Sequence, residues 1–253
     1  EQEYKIKAAD VVIDRNQCLG AGGFGAVYKG EWSGTDVAIK VLASQSFDKS
    51  DIADFMHELS IMGSLHSPKL IQVFGAILEP GKYAIVMELS PRGSLYGLLK
   101  KDKSLSWDIK YRIGMDIAYG LKYLHERKII HRDLKSMNVL MDRDLNAKIC
   151  DFGLAKVKTQ SNAVSTMASS VGTILWMAPE LFARRVKHTS AADVYALGMV
   201  LYDILTHKIP FADDLVDRRA PDVIPGWVKD GERPDLPDIG TAEFKDLIEQ
   251  CWG

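Results

Sequence analysis

The chain has no apolar run approaching the ~18 residues that a membrane-spanning helix needs, and no charged-then-apolar leader opens it. Cysteine is scarce. Cys18, Cys150 and Cys251 are odd in number and lack metal-ligand spacing, so neither a disulfide framework nor a zinc site is expected. A reducing, cytoplasmic setting follows as the simplest expectation. Neither sign of charge dominates: 32 basic against 34 acidic side chains leave a net charge of -2. Global electrostatics therefore gives no reason to expect nucleic acid or a membrane surface as partner. Repeats and low-complexity linkers are missing too. What remains, 47% hydrophobic and 26% charged residues, is ordinary globular composition. At 253 residues it allows one large domain or two lobes around a shared site.

The stretch most dense in chemistry runs from Ile129 to Gly153. Two apolar runs are separated by Asp142, Arg143, Asp144 and Asn146, which predicts two short strands joined by a turn. Asp133 and Asn138 stand at the mouth of this hairpin, and Asp151 follows its second strand. One acid is placed to accept a proton, while an amide and a second acid, both hard oxygen donors, suit Mg2+. Upstream, Gly20-Ala21-Gly22-Gly23-Phe24-Gly25 contains Gly-x-Gly-x-x-Gly. Dinucleotide-binding folds need a helix after that pattern. Here Val27–Trp32, a Ser33-Gly34 turn and Val37–Leu42 predict strand, turn, strand instead. A glycine-rich hairpin of this kind lets backbone N–H groups approach a phosphate chain closely, with Phe24 at its tip.

His131-Arg132-Asp133 with Asn138, followed by Asp151-Phe152-Gly153, resembles the catalytic loop and metal-binding segment of protein kinases. The glycine hairpin and the lysine of Val37-Ala38-Ile39-Lys40 stand at the matching distances. The resemblance covers nearly the whole chain and implies an α+β fold of two lobes. Residues 1–88 would form a small antiparallel lobe of five strands and one helix, 89–91 a hinge, and 92–253 a mainly helical lobe, C-terminally truncated. ATP and Mg2+ are the implied cofactors and a protein hydroxyl the implied acceptor. Lys40 would contact the phosphates and pair with Glu58, on a helix predicted from Asp51 to Leu65 with Asp51 capping its start. Leu19, Gly20, Gly22, Gly25, Val27, Ala38, Met87, Glu88, Ser90 and Leu140 would enclose the nucleotide. Asn138 and Asp151 would hold Mg2+, and Asp133 would act on the acceptor hydroxyl. Met62, Val73, His131 and Phe152 match a hydrophobic stack joining the lobes, and Asp193 an acid that tethers the catalytic loop.

Lys135, two residues after Asp133, and Gly172-Thr173 are similar to serine/threonine kinases. Trp176-Met177 and Glu249–Trp252 look tyrosine-kinase-like. The mixture resembles the tyrosine kinase-like group, to which Raf and mixed-lineage kinases belong and whose members mostly modify Ser and Thr. Tyrosine or dual specificity and a binding-only pseudokinase are the alternatives. A pseudokinase would lack an equivalent of Lys40, Asp133, Asn138 or Asp151, and all four are present. Residues 157–171, rich in Ser and Thr, match the activation segment, with Lys156 and Arg132 as the basic partners of a phosphate there. Ser190 reads as a helix cap with Asp193 three residues on. Pro221 and Pro225 are expected to interrupt the helix before Gly231-Glu232-Arg233-Pro234, and Asp217–Arg219 to form an extra loop. In the family a later arginine pairs with Glu180.

Overall fold

A computed structural model describes residues 4–23, 25–152, 173–183, 188–213 and 220–253. Phe24, Gly153, Lys156, the 157–171 segment and Asp217–Arg219 lie outside the described residues. Strands β1 (Lys5–Ile6), β2 (Val11–Gly22), β3 (Gly25–Trp32), β4 (Thr35–Leu42), β5 (Val73–Ile77) and β6 (Ala84–Glu88) form one sheet ordered β1-β5-β6-β4-β3-β2. The sheet thus has one strand more than expected, and that strand is parallel: Lys5 pairs with Ala76 and Ile6 with Ile77. Two residues carry no period-2 pattern, so nothing in the sequence flagged it. Burial of Ile6, and an Ala76 N–H donated to Tyr4 O at 2.8 Å, hold it in place.

Helix α1 (Lys49–Ser64) packs Phe55, Met56, Leu59 and Met62 against the sheet. Its cap is Asp48, whose carboxylate accepts from Asp51 N at 2.8 Å, while the Asp51 carboxylate accepts from Asp48 N at 3.2 Å. Asp51 is therefore the inner member of a reciprocal capping pair and not the cap itself.

The larger lobe contains α2 (Leu95–Lys101), α3 (Trp107–Glu126), the hairpin β7 (Val139–Met141) and β8 (Ala147–Ile149), α4 (Ser190–Thr206), α5 (Ala220–Lys229) and α6 (Ala242–Trp252). Helix α4 is apolar almost all round and is enclosed by its neighbours. Ser190 is its first helical residue; Thr189 is the cap position and makes no side-chain bond. Asp193 is thereby released from capping for another use. Helix α5 runs through both prolines, contrary to expectation. Pro221 falls in the first turn, where an N–H has no intrahelical acceptor anyway. Pro225 loses one interior bond, offset by burial of Ile224 and Val228 beside it. A continuous core joins α1, β5 and β6 to α3, α4 and α6, so the two lobes share apolar packing. No helix among the described residues is long and apolar enough to cross a membrane.

Candidate active site

The loop from His131 to Asn138 is held from below by α4. The Asp193 carboxylate accepts the backbone N–H groups of His131 at 2.8 Å and Arg132 at 2.9 Å, and bonds His125 Nε2 at 2.8 Å. Burial pushes this carboxyl up, but the bonds from His125, His131 and Arg132 outweigh it, and the group sits below its ordinary range. The tether matters because Arg132 adopts a left-handed backbone, φ 70°, which a non-glycine residue accepts only when its surroundings enforce it. His131 is buried; its Nε2 donates to Cys150 O at 3.0 Å and its Nδ1 accepts from Asp133 N at 3.2 Å. Burial lowers its pKa, so the ring stays neutral and serves as a strut between the loop and β8.

Asp133 stands at the centre of the site. Its Oδ1 accepts from Lys135 Nζ at 3.1 Å and Thr173 Oγ1 at 3.3 Å, and Lys135 Nζ also donates to Thr173 Oγ1 at 2.7 Å. Asn138 Nδ2 donates to Asp133 O at 2.7 Å, which spends the amide nitrogen and leaves Oδ1 as the donor atom for a cation. Asp151, also left-handed at φ 60°, follows β8 and directs its carboxylate at Lys40. Both carboxylate oxygens lie 2.7 Å from Lys40 Nζ. The expected Lys40–Glu58 pair is replaced by this Lys40–Asp151 pair, although Glu58 is buried on α1. A buried ammonium needs a carboxylate, and residue types alone do not rank Glu58 above Asp151.

The glycine hairpin joins β2 to β3, which in turn pairs with the strand that carries Lys40. Gly25 has φ 131°, and a Cβ there would lie 1.8 Å from Val41 O, so only glycine fits the tip. Gly20 and Gly22 border open space, and Leu19 is exposed. On the sheet, Val27 pairs with Lys40 and Ala38 with Met87, while Leu140 lies on β7. Two hinge side chains are committed elsewhere: Ser90 Oγ donates to Met141 O at 2.7 Å, and the Glu88 carboxylate pairs with Lys148. Each keeps acceptor lone pairs beyond these bonds, and the backbone groups of residues 88–90 add a donor and an acceptor apiece. Behind Met87, a small apolar cavity is lined by Met62, Val73, Cys150 and Phe152, among others.

A family model described as protein tyrosine and serine/threonine kinase matches residues 13–253. The chain belongs to that kinase family. It is 38% identical over 99% of its length to a putative serine/threonine-protein kinase/receptor, R831, of Acanthamoeba polyphaga mimivirus, covering 16% of that protein. It is 37% identical over 95% of its length to the dual specificity protein kinase shkC of Dictyostelium discoideum, covering 47%. To the serine/threonine-protein kinase CTR1 of Arabidopsis thaliana it is 36% identical over 92%, covering 28%. The chain thus spans less than half the length of each of these relatives.

Among the described residues of the kinase domain, no cluster of three or more His, Cys, Asp or Glu forms a metal cage. Asn138 Oδ1 and the Asp151 carboxylate nevertheless fit Mg2+, which binds through one or two protein oxygens while phosphate and water complete its octahedron. Cys150, next to Asp151, is an inert thiol, pushed well up by burial and then by the Asp151 charge. Sequence reasoning missed His125 and Lys148, whose partners lie 68 and 60 residues away. Charged or polar types at helix and strand positions gave no signal of either pairing.

Proposed function

We propose that this domain transfers the γ-phosphate of ATP to serine and threonine hydroxyls of protein substrates. The observation that carries the reading is the cluster of Asp133, Lys135 and Thr173. Asp133 orients the acceptor hydroxyl and takes up its proton, and the adjacent Lys135 ammonium offsets charge that develops on the transferred group. Lys40, Asn138 and Asp151 would hold the phosphates and Mg2+, which neutralises phosphate charge when bound. Backbone groups of residues 88–90, with Leu19, Val27, Ala38, Met87 and Leu140, would enclose the base. Three free cysteines, one of them exposed, suit a cytoplasmic setting. A second reading, dual specificity, draws on the D. discoideum relative of that description and on Trp176-Met177. Phosphoamino-acid analysis of a protein phosphorylated by the purified domain decides between them. Phosphoserine and phosphothreonine are expected, and phosphotyrosine as the main product would overturn the role given to Lys135.

Phosphorylation within 157–171 is the regulation this reading includes. Arg132 Nε is buried and makes no hydrogen bond among the described residues, so its guanidinium has capacity for an anion. Ser165, Thr166 and Ser169, outside the described residues, are the preferred carriers of that charge. Phosphatase treatment should slow the wild type markedly and Arg132→Ala hardly at all. Equal slowing of both would exclude Arg132 as the receptor.

A further inference from the structure

Lys110 is a cation for which the proposed reaction has no use. It lies in the first turns of α3, 8% exposed, and burial lowers its pKa. Its ammonium stands 5.0 Å from the centroid of the Trp107 ring, three residues back, as expected of a long helical side chain that leans toward the N-terminus. Among the described residues it makes no hydrogen bond or ion pair. A ring face replaces only part of the hydration that a buried ammonium loses. Lys103, in the loop before α3, bridges two helix ends. Its Nζ donates to Leu99 O at 2.9 Å and to His207 O at 3.2 Å, and one N–H remains uncommitted. His207 follows α4 with a left-handed backbone, φ 55°, and its Nδ1 donates to Leu99 O at 3.2 Å. Burial lowers the pKa of this ring, and the charges of Lys110 and Lys103 lower it further against the Leu99 bond, so the three groups share one neighbourhood.

Two acids stand nearby, and neither forms an ion pair with Lys103 or Lys110. The Asp102 carboxylate turns back into its own loop, accepting from Ser104 N and Ser104 Oγ at 2.8 Å each, and Asp108 is exposed. The first N–H groups of α3 face the same loop, where Ser106 Oγ caps Ile109 N at a long 3.4 Å. We propose that Lys110, Lys103 and the start of α3 form a phosphate-binding site separate from the site around Asp133. His207 stands fourteen residues after Asp193, about 21 Å along α4. A phosphate offers several acceptor oxygens to the uncommitted N–H groups of both ammoniums and to the helix start. Two sources share this chemistry: phosphate from solution, and a phosphoserine formed at Ser104 or Ser106, both exposed in the loop. Complementing the carbonyl ends of α2 and α4 accounts for Lys103 and His207. It does not account for Lys110, which bonds no carbonyl.

Trp107 is the local reporter. Its indole N–H resonance, assigned by its loss in Trp107→Phe, is followed in the phosphatase-treated domain as inorganic phosphate is added at constant ionic strength in chloride. A saturable shift is expected, half complete at about 1–10 mM. Lys110→Met, which keeps the stem and removes the charge, should abolish it, and Lys103→Met should weaken it about threefold or more. Lys40→Met should leave it unchanged, because phosphate held near Lys40 is a separate event. The domain before phosphatase treatment distinguishes the sources. A shift on adding phosphate at that stage identifies phosphate from solution. If instead the resonance moves only on phosphatase treatment and peptide mapping finds phosphate on Ser104 or Ser106, the chain supplies its own. No shift in either arm, or a shift that persists in Lys110→Met, would overturn the proposal.

Melting temperatures give a second, independent readout. In phosphate-free buffer Lys110→Met should melt no lower than the wild type, because it removes a charge that has lost water without gaining an anion. A role confined to helix ends requires the opposite. Phosphate at about ten times its half-saturating concentration should raise the melting temperature of the wild type by about 2–5 °C, and that of Lys110→Met by less than half as much. Binding elsewhere on the domain raises both alike. An equal rise in both, with Lys110→Met melting lower in phosphate-free buffer, would make Lys110 a structural cation and remove the site. Should Lys110→Met fail to fold, Lys110→Gln and Lys103→Met are measured against the same criteria.

Discussion

Asp133→Asn is expected to lower turnover by about 10²–10⁴-fold, the contribution of a positioned general base, while the KM for ATP stays within about twofold. The carboxylate accepts from Lys135 and Thr173 on one oxygen and from Asn138 Nδ2, at 3.3 Å, on the other. An amide in its place must present an NH2 either to the Lys135 ammonium or to the Asn138 amide. Both are donors. The loss therefore combines missing basicity with displaced neighbours, and it falls on the chemical step because none of these partners lies on the glycine hairpin. Steady-state kinetics with varied ATP and varied peptide provide the test. A large rise in the KM for ATP with normal turnover would make Asp133 a nucleotide-binding residue instead.

Asp151→Ala and Lys40→Met should both abolish phosphoryl transfer, yet differ in stability. The Lys40 side chain is 7% exposed and that of Asp151 24%. Removing Asp151 leaves an ammonium buried without its carboxylate. That costs about 2–3 kcal/mol, below the ~3–5 of a fully buried pair because Asp151 is partly wet. Removing Lys40 with methionine of similar length leaves a carboxylate that reaches solvent, so little stability is lost. Melting temperatures should therefore fall by roughly 5–10 °C for Asp151→Ala and by far less for Lys40→Met. The double variant should recover most of the difference. Wild-type turnover in Asp151→Ala would remove the assignment of Asp151 to Mg2+, and equal melting losses would remove the charge argument.

Much of this site was legible because its residues are close in sequence. Asp133, Lys135, Asn138 and Asp151 fall within 19 positions, and the β7–β8 hairpin that carries them follows from two apolar runs and a polar turn. The helices were legible for a similar reason: α3 and α4 repeat apolar residues over many turns. What failed was pairing across long separations. The family resemblance paired Lys40 with Glu58, and the ion pair that Lys40 makes is with Asp151. Ser190 looked like a cap because Asp193 followed it, whereas the bonds of that acid to the backbone amides of the catalytic loop were legible only from the family resemblance. Helix α5 was misjudged because proline is a local penalty, while burial of Ile224 and Val228 is a tertiary gain that no local rule contains.

The two-residue strand at the N-terminal side has a practical reach beyond its size. The family match begins at residue 13, so a domain cut to that boundary would discard β1. Strand β5 would then end the sheet with its outer N–H and C=O groups unpaired, an open template for strand addition by another molecule. The loss would extend to α1, since Tyr4 lies over Gly63, where a Cβ would come within 2.2 Å of the ring. It would also free Glu79, whose carboxylate accepts from Ala8 N at 2.7 Å. The folding unit and the unit of family resemblance therefore have different edges, and residues 4–8 belong to the first.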